Sequence, residues 1–233
     1  MRDLRLIVIW LVMLLFTVLF ISLVAWHAQA RAQTPPVSVA IVLAADVSAS
    51  INNDRFKLQR EGYADALRHP AVLAAIRATH HQRIAVTYVE WSSEHNQTVI
   101  VPWTIISNEQ EAARVSAILY NAPRSSTNMT AVGAAINNAL LLLEICPFAA
   151  DRRVIDVSGD GTTNEGVWPA IPRDRAQQQG VQINGIVIFG DPTPGLEEHY
   201  REHVQTVDGF TMVSDNFDVF AYAIINKLIR EIM

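Results

Sequence analysis

The sequence predicts an α/β fold, in which a mostly parallel sheet is covered by helices on both faces and has one antiparallel edge strand. Two observations carry this prediction. Strand-like and helix-like segments alternate along the chain, as expected when helices connect parallel strands. The run 39–45 is continuously apolar, without the alternation of a strand that has one face in solvent. We therefore expect this first strand to lie in the middle of the sheet.

One pair of segments departs from the alternation. The segments 83–91 and 97–106 are rich in β-branched and aromatic residues, and only the short connection 92–96 separates them. This spacing predicts a hairpin, which makes the pair antiparallel. Pro102 in the second segment indicates a sheet edge or a bulge, because proline has no N–H to donate to a strand ladder.

The other elements are predicted from capping residues and apolar periodicity. We expect helices over about 54–68, 70–78, 108–121, 168–179 and 196–204, one that opens at Thr130, and a terminal helix capped by Ser214 or Asp215. Further strands are expected at 153–158, 181–189 and 210–213.

Composition limits the class of protein. The chain has 233 residues, of which 50% are hydrophobic and 18% charged, so we expect one folded domain or at most two. Its net charge of −5 argues against nucleic acid or an anionic membrane surface as the partner. The single cysteine, Cys146, excludes an intramolecular disulfide, and its position at the end of an apolar helical pattern predicts a buried thiol.

The N-terminus has the pattern of an export signal. Arg2 and Arg5 precede an uncharged apolar run, Leu6–Trp26, which is long enough to span a membrane. Small residues at 28, 30 and 32 also fit a cleavage site, so a cleaved signal peptide stays an alternative to the anchor that we favour. Either form places the rest of the chain on the outer side of the membrane.

These features divide the chain into three parts. We predict an export signal or membrane anchor over 1–32, a linker over 33–36 and one domain over 37–233. The predicted location is membrane-anchored on the periplasmic side, or periplasmic or secreted if the signal is cleaved.

Short oxygen-bearing side chains follow the first strand. Asp46, Ser48 and Ser50 stand at alternate positions where the strand should end, and Thr130 and Asp160 lie at two other element boundaries. Loops at the carboxyl ends of parallel strands meet over one edge of the sheet. Carboxylate and hydroxyl oxygens are the ligands that Mg²⁺, Mn²⁺ and Ca²⁺ prefer. A purely structural role, as caps and turns, is the alternative.

The order of these residues resembles the von Willebrand factor A domain family and its metal-ion-dependent adhesion site. That site combines Asp-x-Ser-x-Ser after the first strand, a threonine before a central helix and an Asp-Gly after the fourth strand. The stretches LQREGYADALRHPAVLAAI, RIAVTYVEWS and RVIDVSGDG are most similar to the bacterial subfamily DUF1194 of exported A domains. The positions that match the site are Asp46, Ser48, Ser50, Thr130 and Asp160.

The resemblance has consequences for fold and function. It implies a Rossmann-like three-layer α/β/α sandwich over nearly all of 37–233. It implies a bound divalent cation, Mg²⁺ or else Mn²⁺ or Ca²⁺, and a partner protein whose Asp or Glu carboxylate completes the coordination of the ion. The expected function is therefore a metal-dependent interaction module and not an enzyme.

Two of the site positions have rivals. Thr127 competes with Thr130, because the loop before the helix lacks the glycines that the subfamily tends to have. Asp156 competes with Asp160, although it lies within the predicted strand and is expected to pair with an arginine such as Arg153.

Two other functions are alternatives to this one. A metal-dependent hydrolase is the main alternative, but the sequence has neither a Gly-x-Ser-x-Gly elbow nor a Gly-rich phosphate loop with lysine. A structural α/β domain without metal is the other. The adjacent pair His80-His81 is not assigned to a metal, because neighbouring side chains in a loop are expected to point apart.

Overall fold

A six-stranded sheet forms the centre of the protein. The computed structural model describes residues 10, 12–22, 34–189 and 194–233. The strands are β1 (Val37–Asp46), β2 (Ile84–Trp91), β3 (Gln97–Ile106), β4 (Ala150–Gly159), β5 (Gln182–Ile188) and β6 (Thr211–Ser214). They lie in the order β3-β2-β1-β4-β5-β6, and only the β2–β3 pair is antiparallel. The predicted mostly parallel sheet with one antiparallel edge strand is confirmed.

The antiparallel strand β3 lies at the edge and is bulged. Val86 pairs with Thr104 and Tyr88 pairs with Val101, so an extra residue of β3 is accommodated around Pro102. Both properties expected from a proline in a strand are therefore present.

Seven helices cover the two faces of the sheet in the described part of the chain that begins at residue 34. They are α1 (Asn53–Arg68), α2 (Pro70–Ala78), α3 (Glu109–Asn121), α4 (Val132–Glu144), α5 (Ala170–Gln178), α6 (Leu196–His199) and α7 (Phe220–Ile232). Helices α1, α2, α3 and α7 contribute to one apolar cluster, and α4, α5 and α6 to the other. The predicted three-layer α/β/α sandwich is confirmed.

Strand β1 supplies side chains to both clusters. Ile41 and Leu43 lie in the cluster with α1 and α7, whereas Val42 and Ala44 lie in the cluster with α4. Every residue of β1 is buried. This is why the sequence of the strand is continuously apolar instead of alternating.

Two local features differ from the sequence prediction. The terminal helix begins only at Phe220, and the Val219 N–H before it bonds to Oδ1 of Asn216, so the predicted cap by Ser214 or Asp215 is wrong. The segment after Leu196 is also not one regular helix, because α6 continues as a π-helical turn over Tyr200–Val204. Cys146 is buried, as predicted.

The N-terminal prediction falls largely outside the described residues. Residues 10 and 12–22, within the apolar run, are helical, whereas the rest of that run and the predicted cleavage sites are not described. Within the described part of the chain, no helix has the length and apolar character needed to cross a membrane.

Candidate metal centre

Three loops meet at the carboxyl edge of the sheet. The first site loop joins β1 to α1, the second joins α3 to α4, and the third joins β4 to α5. The Ala49 N–H of the first loop donates to the carbonyl of Asn128 in the second, at 2.8 Å. The Asn164 N–H of the third loop donates to the carbonyl of Thr130, at 2.9 Å. The backbone therefore holds the three loops together, as expected for the loops of a parallel sheet.

Four of the five predicted site residues form one hydrogen-bonded cluster. The Ser48 N–H donates to Oδ1 of Asp46 at 2.7 Å, and the Ser50 hydroxyl donates to Oδ1 of Asp160 at 2.6 Å. The two serine hydroxyls are 3.1 Å apart. Asp46, Ser48 and Asp160 are buried, whereas Ser50 is exposed, so the cluster lies at the surface end of the strands.

Thr130, the fifth predicted residue, lies beside the third site loop. Its side chain is buried, and a Cβ built on Gly161 would lie 3.8 Å from its hydroxyl oxygen. Its N–H donates to Oδ1 of Asn164 at 2.8 Å. Thr127, the rival, is exposed in the second loop. The structure thus places Thr130 next to the residue that follows Asp160.

Asp156, the other rival, lies in the core and has a different partner. Its Oδ1 is 2.9 Å from the ammonium of Lys227, which also pairs with Glu231. All three of these side chains are fully buried. Arg153 instead donates to the carbonyl of Gln179, so the expected arginine pairing of Asp156 is wrong. Asp156 belongs to a buried ion cluster between β4 and α7.

The electrostatics of Asp46 favour a bound cation. Burial, and after it the charge of Asp160, raise the pKa of Asp46 to about 8, although backbone hydrogen bonds from Ser48 and Asp160 act against this. Its Oδ2 is buried and has no hydrogen-bond partner among the described residues. An unsatisfied buried carboxylate oxygen is costly. A divalent cation that takes this oxygen as a ligand removes the cost, so the oxygen-only donor set fits such an ion.

Two glycines allow close packing at the carboxyl edge of the sheet. A Cβ on Gly159 would lie 2.4 Å from the Tyr200 hydroxyl and 3.0 Å from Oδ2 of Asp46. A Cβ on Gly133, in the first turn of α4, would lie 2.0 Å from the carbonyl oxygen of Val167. The absence of a side chain at Gly159 leaves room for the Tyr200 hydroxyl and the Asp46 carboxylate, and its absence at Gly133 lets the third site loop approach α4 closely.

Arg124 is a site residue that the sequence analysis missed. Its guanidinium extends from the second loop and donates to three carbonyls of the first loop, which fixes the backbone that carries the serines. The acceptors are the carbonyl oxygens of Val47 at 2.8 Å, Ser48 at 3.1 Å and Ile51 at 2.7 Å. No local pattern marks this arginine, because the three carbonyls that it binds in the first loop lie 73 to 77 residues away in the chain.

A second arginine and its ion-pair partner bind the start of the second loop, on either side of Arg124. Arg60 of α1 forms a buried ion pair with Glu90 of β2 and donates to the carbonyl of Pro123 at 3.1 Å. Glu90 also accepts from the Ser125 N–H at 2.9 Å. The second loop is therefore bonded to the sheet on one side and to the first loop on the other.

The fold is that of von Willebrand factor A domains. One similar structure is proximal thread matrix protein 1 of the mussel byssus, with 18% identity and a TM-score of 0.63; the match covers 84% of this chain and 46% of that one. Another is a von Willebrand factor type A protein from Catenulispora acidiphila, with 15% identity and a TM-score of 0.60; the match covers 84% of this chain and 43% of that one. A third is the pilus adhesin SpaC of Lactobacillus rhamnosus GG, with 15% identity and a TM-score of 0.61; the match covers 86% of this chain and 31% of that one. The structure of the mussel protein has also been solved with zinc in its metal-ion-dependent adhesion site (MIDAS) motif. This chain spans less than half the length of each.

The sequence places the chain within a particular family. It belongs to the family described as protein of unknown function (DUF1194), whose sequence model matches residues 36–233. A search of curated protein sequences gave no match.

Proposed function

We propose that this protein is an exported A domain that binds a divalent cation and, through the cation, a protein partner. The observation that carries the proposal is the buried Asp46, whose Oδ2 has no hydrogen-bond partner among the described residues and whose neighbour is a second carboxylate, Asp160. Ser48, Ser50 and Thr130 supply hydroxyl oxygens around this pair. The zinc-occupied motif of the mussel protein supports the idea that this fold can hold a divalent ion.

Mg²⁺ suits this donor set best. It takes six oxygen ligands in a compact shell and usually keeps several waters, whereas Ca²⁺ takes more ligands at longer distances. Two carboxylates and a few hydroxyls on short side chains leave coordination positions for water. When bound, the ion would act as an electrostatic bridge: it offsets the charge of Asp46 and Asp160 and attracts an incoming anionic oxygen.

The partner is proposed to contribute an Asp or Glu carboxylate. The protein is acidic, so a carboxylate would be repelled from the bare cluster, but a cation neutralises the two aspartates. The exposed side of the cluster is accessible, because Ser50 and the neighbouring residues Thr127, Asn128 and Met129 are exposed. This function requires no catalytic group, and we propose that the protein is not an enzyme.

The proposed location is the outer side of the membrane, with 1–32 as an anchor. The charge and apolar pattern of the sequence support it, and one similar structure is that of a pilus adhesin. Mass spectrometry of the mature protein distinguishes the two forms. An anchor retains Met1 and stays with membranes in a carbonate wash, whereas a start near Arg31 or Gln33 shows cleavage.

A capture experiment tests the proposed function. The full chain is immobilised from detergent extract and exposed to envelope proteins in chelator, and then with added Mg²⁺, Mn²⁺ or Ca²⁺. We expect a partner to be lost in chelator and regained with Mg²⁺ or Mn²⁺, and regained less well with Ca²⁺. The Asp46→Ala chain should capture nothing under any condition. A partner held equally in chelator, or by Asp46→Ala, would show that recognition uses another surface.

A further inference from the structure

We infer a second metal site, formed by His80, His81 and Asp151, at the opposite edge of the sheet from the oxygen cluster. His80 and His81 lie in the turn between α2 and β2, and Asp151 is the second residue of β4. Their ligand atoms lie within 4.8 Å of one another. The ions that this set suits are Zn²⁺ and its neighbours Cu²⁺, Ni²⁺ and Co²⁺. The inference does not depend on the proposed function.

The backbone of the turn holds the two imidazoles on one side. The His81 N–H donates to the Ser38 hydroxyl at 2.8 Å, and Arg83 Nε donates to the His81 carbonyl at 3.1 Å. Gln82 adopts a positive φ of 54°, the one described non-glycine residue to do so. This tight reversal places the rings of His80 and His81 with centroids only 4.3 Å apart. The expectation that the adjacent side chains point apart is wrong.

The register of the sheet brings the carboxylate to the histidines. Val37 pairs with Ala150 and Val39 with Arg152, so Asp151 stands next to Ser38, the residue that anchors the turn. Its Oδ1 lies 3.3 Å from Nε2 of His81, and its Oδ2 lies 3.7 Å from Nδ1 of His80.

These separations match the size of a coordination shell. With bonds of about 2.0–2.1 Å, two ligands of a tetrahedral Zn²⁺ are roughly 3.3 Å apart. The separations of 3.3 and 3.7 Å run from the two different oxygens of Asp151, and each is close to that value. One ligand atom from each of the three residues lies within 4.8 Å of the others, so a small adjustment is needed to close the shell. The side chain of His80 is 80% exposed and that of Asp151 51% exposed, so both can adjust and water can fill a remaining position.

The chemistry of the three groups selects the ion. Two imidazole nitrogens and one carboxylate are typical ligands of Zn²⁺, Cu²⁺ and Ni²⁺, whereas Mg²⁺ and Ca²⁺ prefer oxygen alone. A metal ion takes both rings as neutral ligands, and it would tie the start of β2 to the start of β4.

Copper binding to the full, tag-free chain tests the inference. The Asp46→Ala background removes the oxygen cluster, so that the Cu²⁺ signal reports only other sites. We expect one equivalent of Cu²⁺ whose electron paramagnetic resonance spectrum shows nitrogen superhyperfine splitting, and competition by Zn²⁺. The triple change His80→Gln, His81→Gln and Asp151→Asn should weaken binding at least about 10-fold, the loss that even an outer-shell partner of a metal ligand can cause.

A matched control separates this site from the other histidines. The double change His199→Gln and His203→Gln also removes a close histidine pair, with rings 5.2 Å apart, and should leave the copper equivalent unchanged. In the Asp46→Ala background, Zn²⁺ should raise the melting temperature of the parent chain and of this control, but not that of the triple variant. Unchanged copper affinity in the triple variant, or a spectrum with oxygen ligands alone, would overturn the inference.

Discussion

Two pairs of buried carboxylates lie near the neighbouring strands β1 and β4, and they differ in one respect. Asp46 and Asp160 form one pair at the carboxyl edge, and Asp156 and Glu231 form the other inside the core. Burial raises the pKa of Asp46 and of Asp156. The core pair contains its own cation, because Lys227 contacts both of its carboxylates, whereas Oδ2 of Asp46 has no hydrogen-bond partner among the described residues.

The comparison explains why one aspartate is a candidate ligand and the other is not. A buried carboxylate is stable when a partner charge and hydrogen bonds compensate its lost hydration. Lys227 provides this for Asp156 from within the chain. Asp46 can obtain it by taking a proton or by binding a cation from solution. A buried acidic pair without an internal ammonium is therefore the more informative sign of a metal site.

The largest expected effect is on metal binding by the edge pair. Asp46→Ala should abolish Mg²⁺ and Mn²⁺ binding to the full chain in calorimetric titration, because it removes a charged ligand that has no substitute. Asp160→Ala should weaken binding as well. Asp156→Ala is the control, since it leaves a one-to-one pair of Lys227 and Glu231 in the core. Equal loss of affinity in Asp156→Ala would mean that the two clusters are not independent.

The next effect is on stability and concerns the core pair. Lys227→Met leaves two buried carboxylates without a cation and should lower the free energy of unfolding by about 3–5 kcal/mol. Lys57→Met is a matched control, because Lys57 also pairs with a glutamate four residues later, Glu61, but its side chain is 69% exposed. Its loss should cost about 0.5 kcal/mol or less. Urea denaturation measures both, and similar costs for the two variants would contradict the comparison.

A smaller effect is the pH dependence that the core pair produces. Burial raises the pKa of Glu231 from 4.5 to about 7, so the folded protein holds this proton more tightly than the unfolded chain does. The resulting stabilisation is complete below pH 4.5 and is lost as the pH rises to about 7. Glu231→Gln should remove this contribution, on the order of 3 kcal/mol.

Urea denaturation at pH 5.5 and at pH 8 tests this prediction. The stability of the unchanged chain should fall more steeply between the two values than that of Glu231→Gln. Parallel pH profiles would show that Glu231 is ionised in the folded protein throughout the range.

The smallest effect distinguishes the two threonines of the second site loop. Thr130→Ala removes one neutral hydroxyl and should weaken Mg²⁺ binding by about 10-fold or less, which corresponds to about 1.4 kcal/mol. Thr127→Ala removes the same group from an exposed position and should leave the affinity unchanged. The reverse order, measured by the same titration, would assign the ligand position to Thr127.

The fold was predictable because burial leaves a local pattern in the sequence. The apolar run of β1 and the short connection between β2 and β3 identify a central strand and an edge hairpin without reference to distant residues. The end of β1 also marks Asp46 as a candidate, since polar side chains after a buried strand lie at the sheet edge. The predicted cap of the terminal helix was wrong because Asn216 bonds in a bend that precedes the regular helix, which has no side-chain cap of its own.

The sequence by itself determined the fold class, the family and the five candidate ligands, because each depends on short patterns at strand ends and helix starts. Only the tertiary structure decided which acidic residue has an internal cation, since Lys227 reaches Asp156 through the packing of α7 on the sheet. It likewise decided that Arg124 supports the first site loop and that Asp151 joins His80 and His81. These contacts connect residues that are distant in the chain, and the local patterns that reveal strands and helices carry no record of them.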